Sequence, residues 1–507
     1  MSLRAAVLAM AFGVFLAGCG WAGFADEDDG ASGAVDDGAE EAAETSSTTA
    51  PATTEAAPTT VVTVDPLAGD AGIGDPYFEG LGNGGYDVDD YDIVIAFDPD
   101  TQRIEAETTI QATATQDLTA FNLDFGVFDT VEVTVDGVAA EITHAPPELT
   151  VAPASALVVD EPFTVVVSYE GQPMPQRNGG GFSLGWVTTG SGAVYVASEP
   201  DGAHTWFPSN NHPADKATYS ITVTTSEDLE VAANGVLVDE LSNGDGTKTW
   251  AWEMTDPMAT YLAAVSISDY EIQRSTAPGG IEIRNFFPPE LAADAMVDFA
   301  PTAEMIEYFS SVFGPYPFDT YGVVVVPTPL GFALENQTMS LFGTDLVSGV
   351  GAAEPIVAHE LAHQWFGNHV SPATWQDIWL NEGFATYAQE LWFEHSRGER
   401  QLGGVAATSM RLRQRGAVLG PIDDPGGGDL FNEAVYVRGA MVVHALRLQV
   451  GDDAFFEILQ TWVVERGGSV GSTADFVELS ERVSGEELSA FFDEWLGAPT
   501  PPDFPTP

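Results

Sequence analysis

His359-Glu360-Leu361-Ala362-His363 and, further on, Trp379-Leu380-Asn381-Glu382-Gly383-Phe384-Ala385 are the stretches on which the reading of this 507-residue chain turns. On a helix, residues four apart lie one above the other, so His359 and His363 direct two imidazoles toward a single point. Eighteen residues separate His363 from Glu382, whose carboxylate is the expected third donor. Two histidines and a carboxylate leave the fourth position of a tetrahedral zinc ion open, as a catalytic site requires. Glu360, beside the first histidine, is placed to take a proton from water activated there rather than to bind the metal. A plain buried helix explains the first stretch alone; the second removes that reading. No third histidine follows in the spacing H-x-x-G-x-x-H, which disfavours the metzincin class. His369 lies off that spacing and is read as a surface residue or an outer neighbour of the ligands. Asp377 and Asn381, flanking the turn before Glu382, are read as orienting the ligands by hydrogen bonds.

The remaining composition narrows the chemistry. Cys19 is the only cysteine in the chain, so the folded part offers no thiol for disulfides, nucleophilic catalysis or metal binding, and a metal must rely on histidine and carboxylate. Arg4, the apolar run Ala5 to Leu16 and Leu16-Ala17-Gly18-Cys19 follow the order of a secretory signal. The run is too short to span a bilayer as a mature helix. Cys19 stands where bacterial lipoproteins carry the cysteine that is acylated after cleavage, a pattern this segment resembles. The expected location is therefore outside the cell, anchored by lipid to the outer face of the membrane. A net charge of −61, from 77 acidic and 16 basic residues, argues against nucleic acid as a partner. With only two lysines, Lys216 and Lys248, such a surface resembles those of proteins adapted to salty surroundings.

Along the chain, residues 1–18 read as the signal peptide and 19–75 as a disordered tether. From Asp26 to Asp65 there is no basic residue, and the Ala, Thr, Ser, Pro and acidic composition cannot bury enough apolar surface to offset ordering entropy. Residues 76–280 read as an antiparallel β domain. Its strand signals include Tyr91 to Ile95, Phe163 to Tyr169, Tyr219 to Thr225 and Thr249 to Met254, separated by Gly, Pro, Asn and Asp. Beyond Arg284 the period becomes helical, and 281–498 read as the catalytic domain. Helices are expected over Leu291 to Phe313, Ala352 to Gly367, Glu382 to His395 and Ala434 to Val450, with strands over Gly322 to Val326 and Ala333 to Leu341. Residues 499–507 read as a frayed, proline-rich tail. The fold class is α+β and multidomain.

With these motifs in view, the helix motif, the eighteen-residue gap and Trp379 to Ala385 resemble the aminopeptidase N family of zinc peptidases, peptidase family M1. Glu199-Pro200-Asp201-Gly202-Ala203-His204-Thr205-Trp206-Phe207-Pro208, with Asn210-Asn211-His212-Pro213, is similar to the family's segment at the edge of the substrate pocket. Leu334-Glu335-Asn336 resembles the end of its Gly-x-Met-Glu-Asn exopeptidase motif, and Tyr436-Val437-Arg438-Gly439 its Tyr-x-Lys-Gly motif. Together these cover the chain from about Tyr86 to Gly497. The resemblance implies a saddle-like β domain packed on a thermolysin-like catalytic domain, without the large helical C-terminal domain of many relatives. It implies one zinc ion on His359, His363 and Glu382, Glu360 as general base, and the Tyr436 hydroxyl as donor to the oxyanion. It further implies Glu199, Glu335 and Asn336 as the site for the ammonium of a peptide's free N-terminus. Phe332 replaces the glycine that opens the exopeptidase motif, Ala197 stands where many members carry Gln, and Arg438 replaces Lys.

The expected function is removal of single N-terminal residues from peptides. A zinc endopeptidase would share the metal site but leave the cleft open at both ends, and Glu335-Asn336 argues against it. A peptide-binding lipoprotein with a relic site would have lost a ligand or the base, and none is lost. Epoxide hydrolysis, known in one branch of the family, is required by nothing local.

Overall fold

The computed structural model describes residues 67–177, 181–397 and 419–505. Cys19, the signal segment and most of the expected tether lie outside the described residues.

Alternation of period two builds the N-terminal part. Tyr86–Asp98 buries every second residue along nearly its whole length, so one face packs inward and the other faces water. It belongs to an eight-stranded sheet ordered Val236–Ser242, Thr247–Ala259, Lys216–Ser226, Tyr86–Asp98, Arg103–Ala114, Pro162–Gly171, Thr130–Val135 and Val138–Ala139. The pairs are antiparallel as expected, except that Tyr86–Asp98 runs parallel to Lys216–Ser226. Tyr91 stacks on Tyr219 across that pair at 5.0 Å, and Phe207 meets Tyr91 edge-on. A second sheet of five strands contains Val194–Ala197 and Val265–Ser268, whose residues are buried on both faces. That sheet therefore lies between covering layers; Val194–Ala197 is a continuous apolar run, whereas Val265–Ser268 buries Ser266 with its hydroxyl donating to the Val194 carbonyl at 2.8 Å.

The C-terminal part hangs helices on another five-stranded sheet, ordered Glu271–Thr276, Glu282–Phe287, Thr320–Val326, Ser340–Gly343 and Ala333–Leu334. Because Glu271–Thr276 forms a hairpin with Glu282–Phe287, this sheet begins ahead of the expected boundary at residue 281. The helix expected over Leu291 to Phe313 is two, Ala292–Asp298 and Thr302–Phe313, interrupted at Pro301, which lacks the N–H a continuous helix needs. The strand expected over Ala333 to Leu341 is also two pieces. Between them the Glu335 carbonyl accepts from Gln364 Nε2 at 3.0 Å and Asn368 Nδ2 at 2.7 Å, and Thr338 N donates to Gln364 Oε1 at 2.8 Å. Side-chain bonds thus take the place of a ladder.

Both expected disordered ends are partly packed. Gly69 N donates to the Ala120 carbonyl, and Asp75 is buried, accepting from His212 Nε2 at 3.1 Å and Trp375 N at 2.9 Å. Residues 67–85 therefore form a strap that touches the β domain through His212 and the catalytic domain through Trp375. At the other end, Phe504 packs against Trp495 and His444 at 5.4 and 5.3 Å. Apolar contact orders residues whose local composition alone reads as loop. No helix among the described residues is long and apolar enough to cross a membrane.

Candidate metal centre and glutamate pocket

Three helices converge on the site. The first, Glu354–Ala362, carries His359 and Glu360 and is shorter than the expected Ala352 to Gly367; His363 is its C-cap. Pro355 in its first turn suits a position whose N–H has no helical partner. Its start is held by the second helix, Trp379–Arg397: Gln389 Nε2 donates to the Pro355 carbonyl at 2.9 Å, and Trp392 Nε1 to Glu354 at 2.7 Å. The third, Glu433–Val450, carries Tyr436 and is capped by Asn432, whose side chain accepts from Ala434 N.

At the point of convergence, His359 Nε2 lies 3.1 Å and His363 Nε2 3.5 Å from Glu382 Oε2. The nitrogen and oxygen donors of all three fall within 4.8 Å of one another. Donors about 2.0–2.2 Å from a common tetrahedral ion stand roughly this far apart, so the set fits zinc. His363 Nδ1 donates to the Phe366 carbonyl at 3.1 Å, which leaves its Nε2 lone pair for a metal. The Tyr436 ring stacks over the His359 imidazole at 6.0 Å, which sets this residue beside the metal-ligand group.

Around this centre the pocket is strongly anionic. Glu335, Glu360 and His363 form a second cluster within 4.8 Å; Glu335, Glu360 and Glu382 are buried, and Glu199 is half-buried with its Oε1 shielded from water. Burial, then the charges of Glu335, Glu382 and Glu360, push Glu199 well above the usual carboxylate range. Burial raises Glu335 and Glu360 likewise. Burial pulls the His363 imidazole down, yet the carboxylates of Glu335 and Glu382 outweigh it and push it up to about 10. Against burial, the two histidines hold Glu382 down at about 2. No Lys or Arg among the described residues pairs with these glutamates. Such a pocket calls for positive charge from outside the chain, both as a metal ion and as a substrate cation.

The expected substrate residues meet here. Glu199 Oε1, Glu335 Oε1 and Asn336 Oδ1 are buried without a hydrogen-bond partner. They are acceptors that a cationic N–H donor would satisfy. Ala333–Leu334, at the edge of its sheet, leads directly into Glu335. Phe332 meets Phe182 edge-on at 5.4 Å, so the residue replacing glycine packs against the β domain. Ala197 is buried.

Two expected roles are corrected. Asp377 does not orient a ligand; its Oδ1 accepts from Thr473 N and Oγ1 at 2.8 and 2.7 Å, tying the turn before the second helix to the start of Thr473–Ser484. His369 meets Phe318 edge-on and its carbonyl accepts from Lys216, which makes it part of the seam between domains. Asn381 donates to the Tyr261 hydroxyl at 3.5 Å, and Tyr261 is a pocket residue the sequence did not single out. Burial and the charges of Glu335, Glu199 and Glu382 raise that phenol well above its usual range. Gln364 and Asn368, which hold the Glu335 backbone, were also missed; their one available signal was proximity to His363.

Comparison with known proteins agrees with this geometry. Residues 88–262 match the Peptidase M1 N-terminal domain and residues 297–495 the Peptidase family M1 domain. The crystal structure of a mutant M1 zinc metallopeptidase from Deinococcus radiodurans, bound to a Tyr-Ser-Ala substrate, superposes with a TM-score of 0.79 at 30% identity, covering 86% of this chain and 100% of that one. Human endoplasmic reticulum aminopeptidase 1 is 29% identical over 323 residues, 59% of this chain and 34% of that protein. Aminopeptidase N of Streptomyces lividans is 29% identical over 331 residues, 60% of this chain and 38% of that protein. The chain thus spans little more than a third of the length that these two curated relatives have.

Proposed function

Because the chain belongs to peptidase family M1, we propose that it is a zinc-dependent aminopeptidase that removes single N-terminal residues from peptides. The observation that carries the reading is the pair of orphaned, buried acceptors Glu199 Oε1 and Glu335 Oε1 beside a two-histidine, one-glutamate donor set. The peptide-bound Deinococcus relative adds support at the level of substrate class.

His359, His363 and Glu382 would hold one zinc ion, leaving one position toward the pocket. When bound, zinc supplies a Lewis acid that brings the pKa of its water to about 7 and polarises the scissile carbonyl. Glu360 accepts the proton of the attacking water at its carboxylate and passes it to the leaving amine nitrogen. The hydroxyl of Tyr436, whose ring stacks over His359, donates to the oxygen on which negative charge develops. Glu199, Glu335 and Asn336 receive the α-ammonium, fixing the scissile bond one residue from the N-terminus. That closed end separates an exopeptidase from an endopeptidase.

The test is a panel of free and N-acetylated peptides, assayed at high salt with and without a zinc chelator. Stepwise release of single residues from free peptides only, abolished by chelation, is expected. Internal cleavage of acetylated peptides would overturn the ammonium-site assignment and leave the endopeptidase; a folded, zinc-loaded protein that cleaves nothing would leave the peptide-binding lipoprotein. Export and anchoring through lipidated Cys19 are part of the same proposal, supported by the signal-like N-terminal sequence. Incorporation of radiolabelled palmitate, lost in Cys19→Ala, is the expected check; unlabelled wild-type protein would refute it.

A further inference from the structure

Away from the glutamate pocket, the described residues bury another group of oxygens without partners. Asp124 ends the strand Phe121–Asp124. The antiparallel register sets it opposite Glu148 on one side and Ser209 on the other. Directly opposed residues of antiparallel strands project from the same face, so Ser209, Asp124 and Glu148 form one row across three segments. Each contributes a buried oxygen with no hydrogen-bond partner: Ser209 Oγ, Asp124 Oδ1 and Glu148 Oε2. Asn83 donates Nδ2 to Asp124 Oδ2 at 3.0 Å, and its own Oδ1 is buried and unpartnered as well. Ser209 and Asp124 are 0% exposed and Asn83 1%, so water outside the protein cannot serve them.

The bonding of Asp124 is lopsided. Gly82 N, Asn83 Nδ2 and Asn211 N, at 3.2, 3.0 and 2.8 Å, all converge on Oδ2, leaving Oδ1 directed elsewhere. No Lys, Arg or His among the described residues forms an ion pair with Asp124 or Glu148. Burial, with the Glu148 charge behind it, pushes the Asp124 carboxyl up to about 8, and burial raises Glu148. A cation between them would remove that cost.

We propose that Asn83 Oδ1, Asp124 Oδ1, Glu148 Oε2 and Ser209 Oγ hold a calcium ion in the β domain. The donors are all hard oxygens, with neither nitrogen nor sulfur to favour zinc, and the two carboxylates match a divalent charge. Glu148 is half-buried, which leaves a side open for the water ligands that complete calcium's coordination. The site has a structural consequence. Gly82 and Asn83 belong to the strap that carries Asp75, and Asp75 accepts from Trp375 N just ahead of the helix bearing Glu382. The ion would fasten that strap to the β domain.

The test must separate this site from diffuse binding to a chain of net charge −61. Zinc-loaded full chain, freed of calcium and held in high potassium chloride, is titrated with calcium or with sodium while bound metal and the thermal midpoint are measured. Glu148→Gln and Asp124→Asn are compared with wild type and with Glu457→Gln, an exposed control. Wild type and the control are expected to rise by several degrees with calcium and to bind about one more ion per chain than the two site variants, whose midpoints stay flat. A wild-type midpoint indifferent to calcium, an equal rise in Glu148→Gln, or an equal rise with sodium at the same concentration would each overturn the assignment.

Discussion

Gly383 and Gly439 touch backbone to backbone where the helices Trp379–Arg397 and Glu433–Val450 cross: a Cβ on Gly439 would lie 2.7 Å from Gly383 Cα, and one on Gly383 2.8 Å from Gly439 Cα. Gly383 follows Glu382 directly, and Gly439 stands one helical turn beyond Tyr436. The approach that only two glycines permit therefore sets how far the carboxylate donor stands from the phenol. Since each obstructing atom is backbone, no side chain can rotate away to make room.

Gly439→Ala is accordingly expected to lower stability by about 1–3 kcal/mol, the usual cost of overpacking, and to reduce kcat as Tyr436 is pushed outward. Zinc content should hold, because all three donors lie on or beside the other two helices. Thermal unfolding, metal analysis and steady-state kinetics on one preparation check this. An alanine variant with wild-type midpoint and kcat would show that the crossing does not position Tyr436.

Glu360→Gln keeps the shape of the side chain and removes the carboxylate proposed as the base. Activity is expected to fall by roughly 10²–10⁴-fold with zinc retained. Tyr436→Phe removes the hydroxyl proposed as an oxyanion donor, for which a loss of about 10²–10³ in kcat with little change in KM is expected. If Tyr436→Phe instead raises KM and spares kcat, the hydroxyl serves substrate binding and not the charge that develops during reaction.

How much of this was legible beforehand follows from distance along the chain. His359, Glu360 and His363 are fixed relative to one another by a single helical turn, so their spacing carries their geometry. Glu382 is reached through its own motif. Gly383 and Gly439 each sat in a quoted motif, yet their contact joins residues far apart in sequence and no local pattern displays it. The break at Glu335 was hidden for the same reason: Ala333 to Leu341 has strand composition, but Gln364 and Asn368 claim the Glu335 carbonyl from another segment. The strap around Asp75 lacks any apolar period, and its order comes from His212 and Trp375, 137 and 300 residues further along the chain.

Arg438, where the family motif has Lys, is wholly buried and satisfied by carbonyls. Nε donates to Trp495 at 2.7 Å, Nη1 to Gly420 and Ala498 at 2.7 Å each, and Nη2 to Glu494 at 3.4 Å. The guanidinium thus closes the C-terminal end of Ser489–Gly497, where a helix presents partial negative charge. Arg438→Lys shortens the reach and loses most of the bonds that the fork makes to these carbonyls, so a loss of about 2–3 kcal/mol in unfolding free energy is expected. Equal urea midpoints for the two proteins would show that an ammonium suffices at this position.

Lys216 crosses from the β domain to the catalytic domain, its Nζ donating to the Asn368 carbonyl at 2.7 Å and that of His369 at 3.1 Å. Burial brings it from 10.5 down to about 7, against the pull of Asp256. In the unfolded chain the same lysine keeps its proton up to about 10.5, so between pH 7 and 10.5 the unfolded state binds more protons than the folded one. The free energy of unfolding must then rise with pH across that window as far as Lys216 is concerned. Lys216→Met keeps the length of the side chain and has nothing to titrate. Urea unfolding of both proteins is expected to give a stability difference that is constant below pH 7 and moves in favour of the wild type as pH rises toward 10.5. Because Asn368 Nδ2 also holds the Glu335 carbonyl, the variant should show a raised KM for free peptides more than a changed kcat. A stability difference that stays flat through the window would mean that Lys216 keeps its charge in the folded protein, with the two carbonyls and Asp256 outweighing its burial.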